Sequence, residues 1–200
     1  MSRLQFSRRA LIVSAAASLA TPSLLRAQST DAFPTDEAAI RDQIPVQRNV
    51  SAFQQQHWQD HFDSLGVGCL LADISSRALH YWGEDGETYM LFPSSVPMSE
   101  ELTRRGYTKV VRKQENPTWT PTSSMRERDP TLPVRIDGGD PGNPLGTRAM
   151  YLDWPAYLVH GTHDTRKIGR QSSSGCIGLY NQHVETLYPL VKVGTQVRLV

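Results

Sequence analysis

Two stretches decide how this chain is read: Tyr157-Leu158-Val159-His160-Gly161-Thr162, and Ser173-Ser174-Gly175-Cys176-Ile177, whose cysteine lies sixteen positions after His160. An unperturbed thiol ionises near pH 8.5, at about the accepted reference value, so it needs an imidazole or other positive potential to be largely thiolate at neutral pH. The Ser-Ser-Gly approach leaves the sulfur reachable. It also lets backbone N–H groups point at the same space, as stabilisation of a developing oxyanion requires. Cys176 is therefore a candidate nucleophile and His160 its candidate base. His163 follows three residues later, so His160, His163 and Cys176 also have the residue types of a zinc site. A closed site usually has four ligands and no second cysteine or acidic cluster is near in sequence, so no metal is assigned and His163 is expected on a cleft rim or in solvent.

Working outward, His160-Gly161-Thr162, Ile168-Gly169 and Ser173-Ser174-Gly175-Cys176-Ile177 together resemble the signature of the L,D-transpeptidases, the YkuD-like cysteine enzymes that cross-link peptidoglycan. The likeness extends upstream through Trp119-Thr120-Pro121-Thr122, Met125, Asp129-Pro130, Leu132-Pro133 and the run Asn143 to Leu152, so it covers residues 67–200. The resemblance implies a mainly β fold, a β-sandwich of two mixed sheets with the cysteine on a loop facing the cleft. It implies Cys176 as nucleophile, His160 as general base and acid, the Gly161 carbonyl orienting that ring, Gly175 and Cys176 N–H groups at the oxyanion, and Ser174 as a neighbour of the site. Peptidoglycan stems are the implied donor and acceptor, carbapenem-type compounds the implied inhibitors, and no cofactor is implied. Two readings remain beside transpeptidation: an L,D-carboxypeptidase or hydrolase of stem peptides, and a catalytically impaired wall-binding or regulatory domain.

The chain departs from the family pattern at three positions. Ser174 stands where many members have histidine, His183 where aspartate is common, and Gly178 where most have arginine. Losing that arginine removes a planar cationic fork of the kind that binds carboxylates. Arg148, Arg166, Lys167 and Arg170 are nearby in sequence as replacements, and Arg148, Arg170, Gly178 and Trp154 are taken as substrate-binding candidates. Gly178 is read as a sign of altered substrate geometry, with cross-links at non-standard stem positions.

Two hundred residues carrying a formal net charge of +1 suit one catalytic domain and lack the basic footprint of a nucleic-acid binder. Residues 1–28 place Ser7-Arg8-Arg9 before an apolar, alanine-rich run and end near Ala27, which reads as a twin-arginine export signal and predicts a periplasmic protein without a membrane anchor after cleavage. Residues 29–49 read as a leader. From Val50, Phe53, Trp58, Phe62 and Leu65 recur at helical spacing, which predicts an amphipathic helix up to Gly66. Cys69 lies in the apolar stretch Gly66 to Ala72, where a thiol behaves as a small hydrophobe. It is expected to be buried and not bridged to Cys176.

The remainder reads as short strands. A hairpin is predicted over residues 67–82, strands over 89–93 and 107–113, and one or two helical turns over 98–105. Residues 116–146 hold six of the thirteen prolines and so form an ordered loop rather than a long helix or central strand. Strands follow at 148–151 and 156–160. A helix over 181–188 is expected to be capped by Asn181, and a pair of strands to surround Gly194-Thr195.

Overall fold

The computed structural model describes residues 54–200. The export signal, the leader and the start of the helix expected from Val50 lie outside the described residues. In chain order the regular elements are strands β1 (Cys69–Asp73), β2 (Ala78–Trp82), β3 (Tyr89–Pro93), β4 (Val96–Pro97) and β5 (Gly106–Glu115). Helix α1 (Ser123–Arg128), β6 (Arg148–Leu152), β7 (Leu158–His160), β8 (Gln171–Ser173), β9 (Ile177–Gly178), α2 (Asn181–Leu187) and β10 (Gln196–Leu199) follow.

The strand order β3-β2-β1-β10-β5-β6-β7-β9 runs through β5 without a break. β5 is ten residues long and serves two sheets. Its first half pairs with β10 (Lys109 opposite Gln196) and its second with β6 (Glu115 opposite Arg148), the register shifting between Val110 and Arg112. A bulge at that point bends and twists the strand, as an extra residue in one partner does. Each half is mixed, because β1 and β10 run parallel in one and β7 and β9 run parallel in the other. The expected pair of mixed sheets is therefore present, joined along one shared strand. A parallel two-stranded ribbon, β4 with β8, accompanies them.

Leu70, Leu79, Met150, Val159, Ile177, Val197 and Leu199 come from both sheets and meet Val184 and Leu187 of α2 in one apolar cluster. Burying a leucine such as Leu70 or Leu79 completely is worth about 1.5–3 kcal/mol. β1 is buried on both faces, since Cys69 and Leu71, on the face opposite Leu70, pack with Phe62 and Trp82 under Trp58 and Leu65.

That packing also explains why residues 54–66 do not form the expected helix. In its described part the amphipathic helix expected up to Gly66 reduces to a single 3-10 turn, Trp58–Asp60. The chain is laid across the sheet, where its carbonyls find other donors: Tyr107 Oη donates to His61 O at 2.9 Å, Gln196 Nε2 to Ser64 O at 2.8 Å, and the Cys69 thiol to Leu65 O at 3.4 Å. Apolar residues three to five apart serve such a strap as well as a helix.

Smaller differences have similarly local causes. The turns expected over 98–105 are one 3-10 turn, Glu100–Leu102. Only one of the two strands expected near the C-terminus forms, β10, entered through Gly194 in the left-handed region (φ 98°). Asn181 does not cap α2. Tyr180 holds the cap position, and Asn181 Oδ1 instead accepts the Thr147 N–H at 3.2 Å, tying α2 to the start of β6.

Candidate active site

β7 ends at His160 and β9 begins directly after Cys176, and the two strands pair in parallel with Val159 opposite Ile177 and His160 opposite Gly178. Cys176, one residue before β9, packs with Leu158, and Leu158 lies two residues before His160 on β7, where alternate side chains share a face, so the sulfur lies on the face of β7 that carries His160. The register brings the candidate base and nucleophile together although they are sixteen residues apart in sequence.

His160 is buried, and its Nδ1 lies against the Gly161 carbonyl oxygen, which accepts the Nδ1 proton. The ring is thereby held as the tautomer with a lone pair on Nε2, the arrangement a base requires. Burial lowers the imidazole pKa to about 4; the Gly161 carbonyl raises it and the Lys167 charge lowers it further, both by less.

Cys176 is partly exposed, yet its sulfur is enclosed by backbone. The thiol donates to Ala156 O at 3.3 Å, and the Leu158 amide faces the sulfur. Desolvation pushes the thiol pKa up to about 11, and the Leu158 N–H offsets part of that. With the imidazole near 4 and the thiol near 11, the resting pair is neutral at pH 7 rather than a thiolate–imidazolium pair. A neutral pair of this kind requires any attack by the sulfur to be accompanied by loss of its proton. Ala156 itself holds a positive φ of 62°, costly for a residue with a Cβ, and this conformation aims its carbonyl at the sulfur.

The loop before Cys176 is locked by Ser173, whose hydroxyl donates to Cys176 O at 2.6 Å and accepts from Gly175 N–H at 3.3 Å. The Gly175 amide, which the resemblance implies for the oxyanion, is engaged by Ser173 Oγ in this structure. Gly175 lies in the left-handed region (φ 127°), with the Tyr157 ring 3.3 Å from where a Cβ would stand. The Tyr157 hydroxyl in turn donates to Leu102 O at 2.8 Å. Ser174 accepts a 3.2 Å hydrogen bond from Arg128 Nη2, at the end of α1 in the proline-rich segment.

Gly178 is buried. It exchanges two backbone hydrogen bonds with Ser95 (Ser95 N to Gly178 O, 2.8 Å; Gly178 N to Ser95 O, 3.1 Å). A Cβ at this position would fall on Ser95 Oγ and stand 3.8 Å from His160 Cε1. Position 178 is thus part of the floor beneath the histidine, with the Ser95 hydroxyl in the space a side chain would take. Gly178→Arg is expected to destabilise the fold by about 1–3 kcal/mol through overpacking. Thermal unfolding checks this, with Ser95→Gly in the same chain restoring part of the loss.

The other candidates are dispersed. Arg148 pairs with Glu115 at 3.3 Å, donates to Thr147 O and lies over the Tyr188 ring. Trp154 is buried in the main core, edge-on to Tyr157 and covered by Arg104, so its ring is a packing group. Arg170 and His163 are exposed. His183 packs between Phe92 and Tyr180 at centroid distances of 5.2 and 5.1 Å, and burial lowers its pKa. Cys69 and Cys176 are both free thiols, and burial raises the Cys69 pKa to about 11. Among the described residues no three His, Cys, Asp or Glu side chains gather as metal ligands.

Two histidines are buried as neutral bases. His80 donates or accepts at Tyr89 Oη (2.8 Å), stacks on Trp82 and, like His160, has its pKa lowered to about 4 by burial. A base whose pKa falls on folding stabilises the native state above its unfolded pKa, and that stability is lost as pH drops towards the folded value. The window here is about pH 6.5 to 4, and each histidine contributes about 2–3 kcal/mol across it. Urea midpoints at pH 7 and 4.5 should differ accordingly, with His80→Leu reducing the difference; equal midpoints would contradict the buried neutral histidines.

Comparison with known proteins adds three findings. The family model of the YkuD L,D-transpeptidase catalytic domain matches residues 69–199. The ATP synthase subunits region ORF 5 protein of Fuscovulum blasticum, named as an L,D-transpeptidase, is 54% identical over 95% of this chain and 93% of its own length. ErfK/SrfK of Escherichia coli K12, named for the same activity, is 36% identical over 66% of this chain, which spans only 43% of that protein. Among solved structures, L,D-transpeptidase 3 from Mycobacterium tuberculosis in complex with a faropenem-derived adduct superposes with a TM-score of 0.52 at 18% identity, covering 66% of this chain and 60% of the other.

Proposed function

The chain belongs to the YkuD-type L,D-transpeptidase family, and on that premise we propose that it cross-links peptidoglycan stems through a thioester on Cys176. The observation that most supports this reading is the His160–Cys176 arrangement, with the imidazole held by the Gly161 carbonyl and set on the same face as the sulfur.

In the proposed reaction the donor stem presents the carbonyl of its L-centre, at the bond to the terminal D-alanine, to Sγ. The Cys176 proton passes to His160 Nε2 as the S–C bond forms, and the carbonyl oxygen becomes an oxyanion beside the Cys176 loop. Collapse breaks the C–N bond, and the imidazolium gives its proton to the departing D-alanine amine. The side-chain amine of a second stem then attacks the thioester, loses its proton to His160 and releases Cys176 as thiol. Two half-reactions at one sulfur give ping-pong kinetics. Each peptide bond formed replaces one broken, so no ATP is required.

Two finer features belong to the proposal. Export to the periplasm by the twin-arginine route follows from residues 1–28. Gly178 leaves the floor beside the sulfur without a cationic side chain, which favours an altered donor or acceptor geometry and non-standard cross-link positions. Muramidase digestion of walls from cells with and without the protein, followed by sequencing of dimers by mass spectrometry, tests the latter; ordinary 3–3 dimers alone would overturn it. The reaction itself is tested with purified protein and a tetrapeptide stem: release of D-alanine with cross-linked dimer is expected. Tripeptide without dimer would make the protein an L,D-carboxypeptidase, and no D-alanine release would overturn catalysis on this substrate.

A further inference from the structure

Gly178 brings no side chain to the floor beneath His160, where Ser95 Oγ occupies the space a Cβ would take. A donor stem nonetheless carries a carboxylate on its terminal D-alanine, one residue from the scissile carbonyl. A residue spans at most about 3.6 Å of chain, so this anion comes to rest close to the sulfur when the carbonyl does. Which cation meets it can be read from how the basic residues are engaged.

Arg148 is paired with Glu115, Arg166 with Asp164, Arg105 with Glu100 and Arg135 with Asp137. Arg104 lies 4.5 Å over the Trp154 ring. Lys167 is felt at His160, where a carboxylate partner would draw substrate charge towards the base rather than towards the leaving group. Arg128 differs from these. It is exposed, it reaches the Cys176 loop through one hydrogen bond to Ser174 Oγ at 3.2 Å, and among the described residues no carboxylate lies within ion-pair distance of it. Ser174 is two residues before the nucleophile.

The support of Arg128 is built into the proline-rich segment. Thr122 caps α1 by accepting the Met125 N–H at 3.3 Å, the helix closes with Asp129 N–H to Met125 O at 2.9 Å, and Arg126 Nη2 donates to Val134 O at 2.9 Å. α1 is thus fastened within its own loop, and Arg128 adds a hydrogen bond from that loop to the cysteine loop. A guanidinium has five N–H donors in a planar fork, so holding the serine with one leaves others for a bidentate carboxylate.

We propose that Arg128 binds the terminal carboxylate of the donor stem, supplying from the 116–146 segment the charge that position 178 lacks, with Ser174 orienting the guanidinium. This deepens the transpeptidase reading and rests on it. Ser174 then has a specific use, as a small hydroxyl acceptor that holds one arm of the guanidinium.

The test compares wild type, Arg128→Gln and Arg128→Lys on a tetrapeptide stem and on the same stem with its terminal carboxylate amidated. On the acid, Arg128→Gln is expected to lose about 10–100-fold in kcat/KM, mostly through KM, as removal of a charge-assisted hydrogen-bonded pair does. Arg128→Lys should recover part of that loss. On the amide, the three proteins should converge. An unchanged acid-to-amide preference in Arg128→Gln, alongside normal turnover by wild type, overturns the role of Arg128 and leaves the transpeptidase reading standing. No D-alanine release by wild type overturns both.

Discussion

Cys176→Ala is expected to release no D-alanine and form no dimer from a tetrapeptide stem, a fall of more than about 10³-fold, because the sulfur proposed to carry the acyl group is gone. The fold should survive, since the side chain is partly exposed and its contacts are a hydrogen bond to Ala156 O and packing against a small cluster around Leu145 and Leu158. Thermal unfolding near that of the wild type, with activity at background, is the expected pair of results. Turnover by the alanine variant would require another nucleophile. Cys69 cannot serve as one, because it is fully buried on the far face of β1 with its thiol pKa raised to about 11.

His160→Gln is expected to lower kcat by about 10²–10⁴-fold, the usual contribution of a positioned general base. The loss should grow no smaller at higher pH until the thiol itself ionises, near pH 11. This follows from the neutral resting pair: with the thiol high and the imidazole low, the wild type depends on proton transfer during attack, not on a stored thiolate. Alkylation of Cys176 by iodoacetamide measures this directly. In both proteins its rate should climb about tenfold per pH unit through pH 7–9, with no plateau at neutral pH. A plateau near pH 6 in the wild type would mean an ion pair and contradict the geometry. His160→Gln also removes one buried neutral histidine, so it should lose less stability than the wild type between pH 6.5 and 4.

The core of the site was legible in the sequence because its chemistry is carried by local patterns. His160-Gly161 encodes the ring and the carbonyl that holds it, and Ser-Ser-Gly-Cys encodes the turn that exposes a sulfur. The strand pattern was legible for the same reason, since β1, β2, β3, β6 and β7 carry short apolar runs between turn residues, while β5 shows itself by alternation around Val110. What was not legible depends on contacts between distant segments. Arg128 and Ser174 are 46 residues apart, and nothing in either neighbourhood names the other. The Ala156 carbonyl reaches the thiol across 20 residues, from a backbone conformation that alanine does not advertise. Gly178 could be seen to lack a side chain, but not that Ser95 fills its place.

Two residues carried usable signals that were read differently. Ser173, quoted with the motif, is the clasp between Cys176 O and Gly175 N–H, a role short hydroxyl residues often play towards nearby backbone. Trp154, a substrate-binding candidate by sequence, sits in a neighbourhood that serves a core as well, and the fold buries it there. The segment up to Gly66 shows the same ambiguity at the level of an element: apolar spacing identifies a face to be buried, and the available partner decides whether helix or strap buries it.

The central claim is that Cys176 is an acyl-carrying sulfur, and intact-mass spectrometry after incubation with imipenem tests it most directly. The account predicts a gain of one imipenem-derived acyl group in the wild type, mapped to the peptide containing Cys176, formed slowly in His160→Gln and absent in Cys176→Ser. No adduct on the folded wild type, or an adduct that persists in Cys176→Ser, would contradict it.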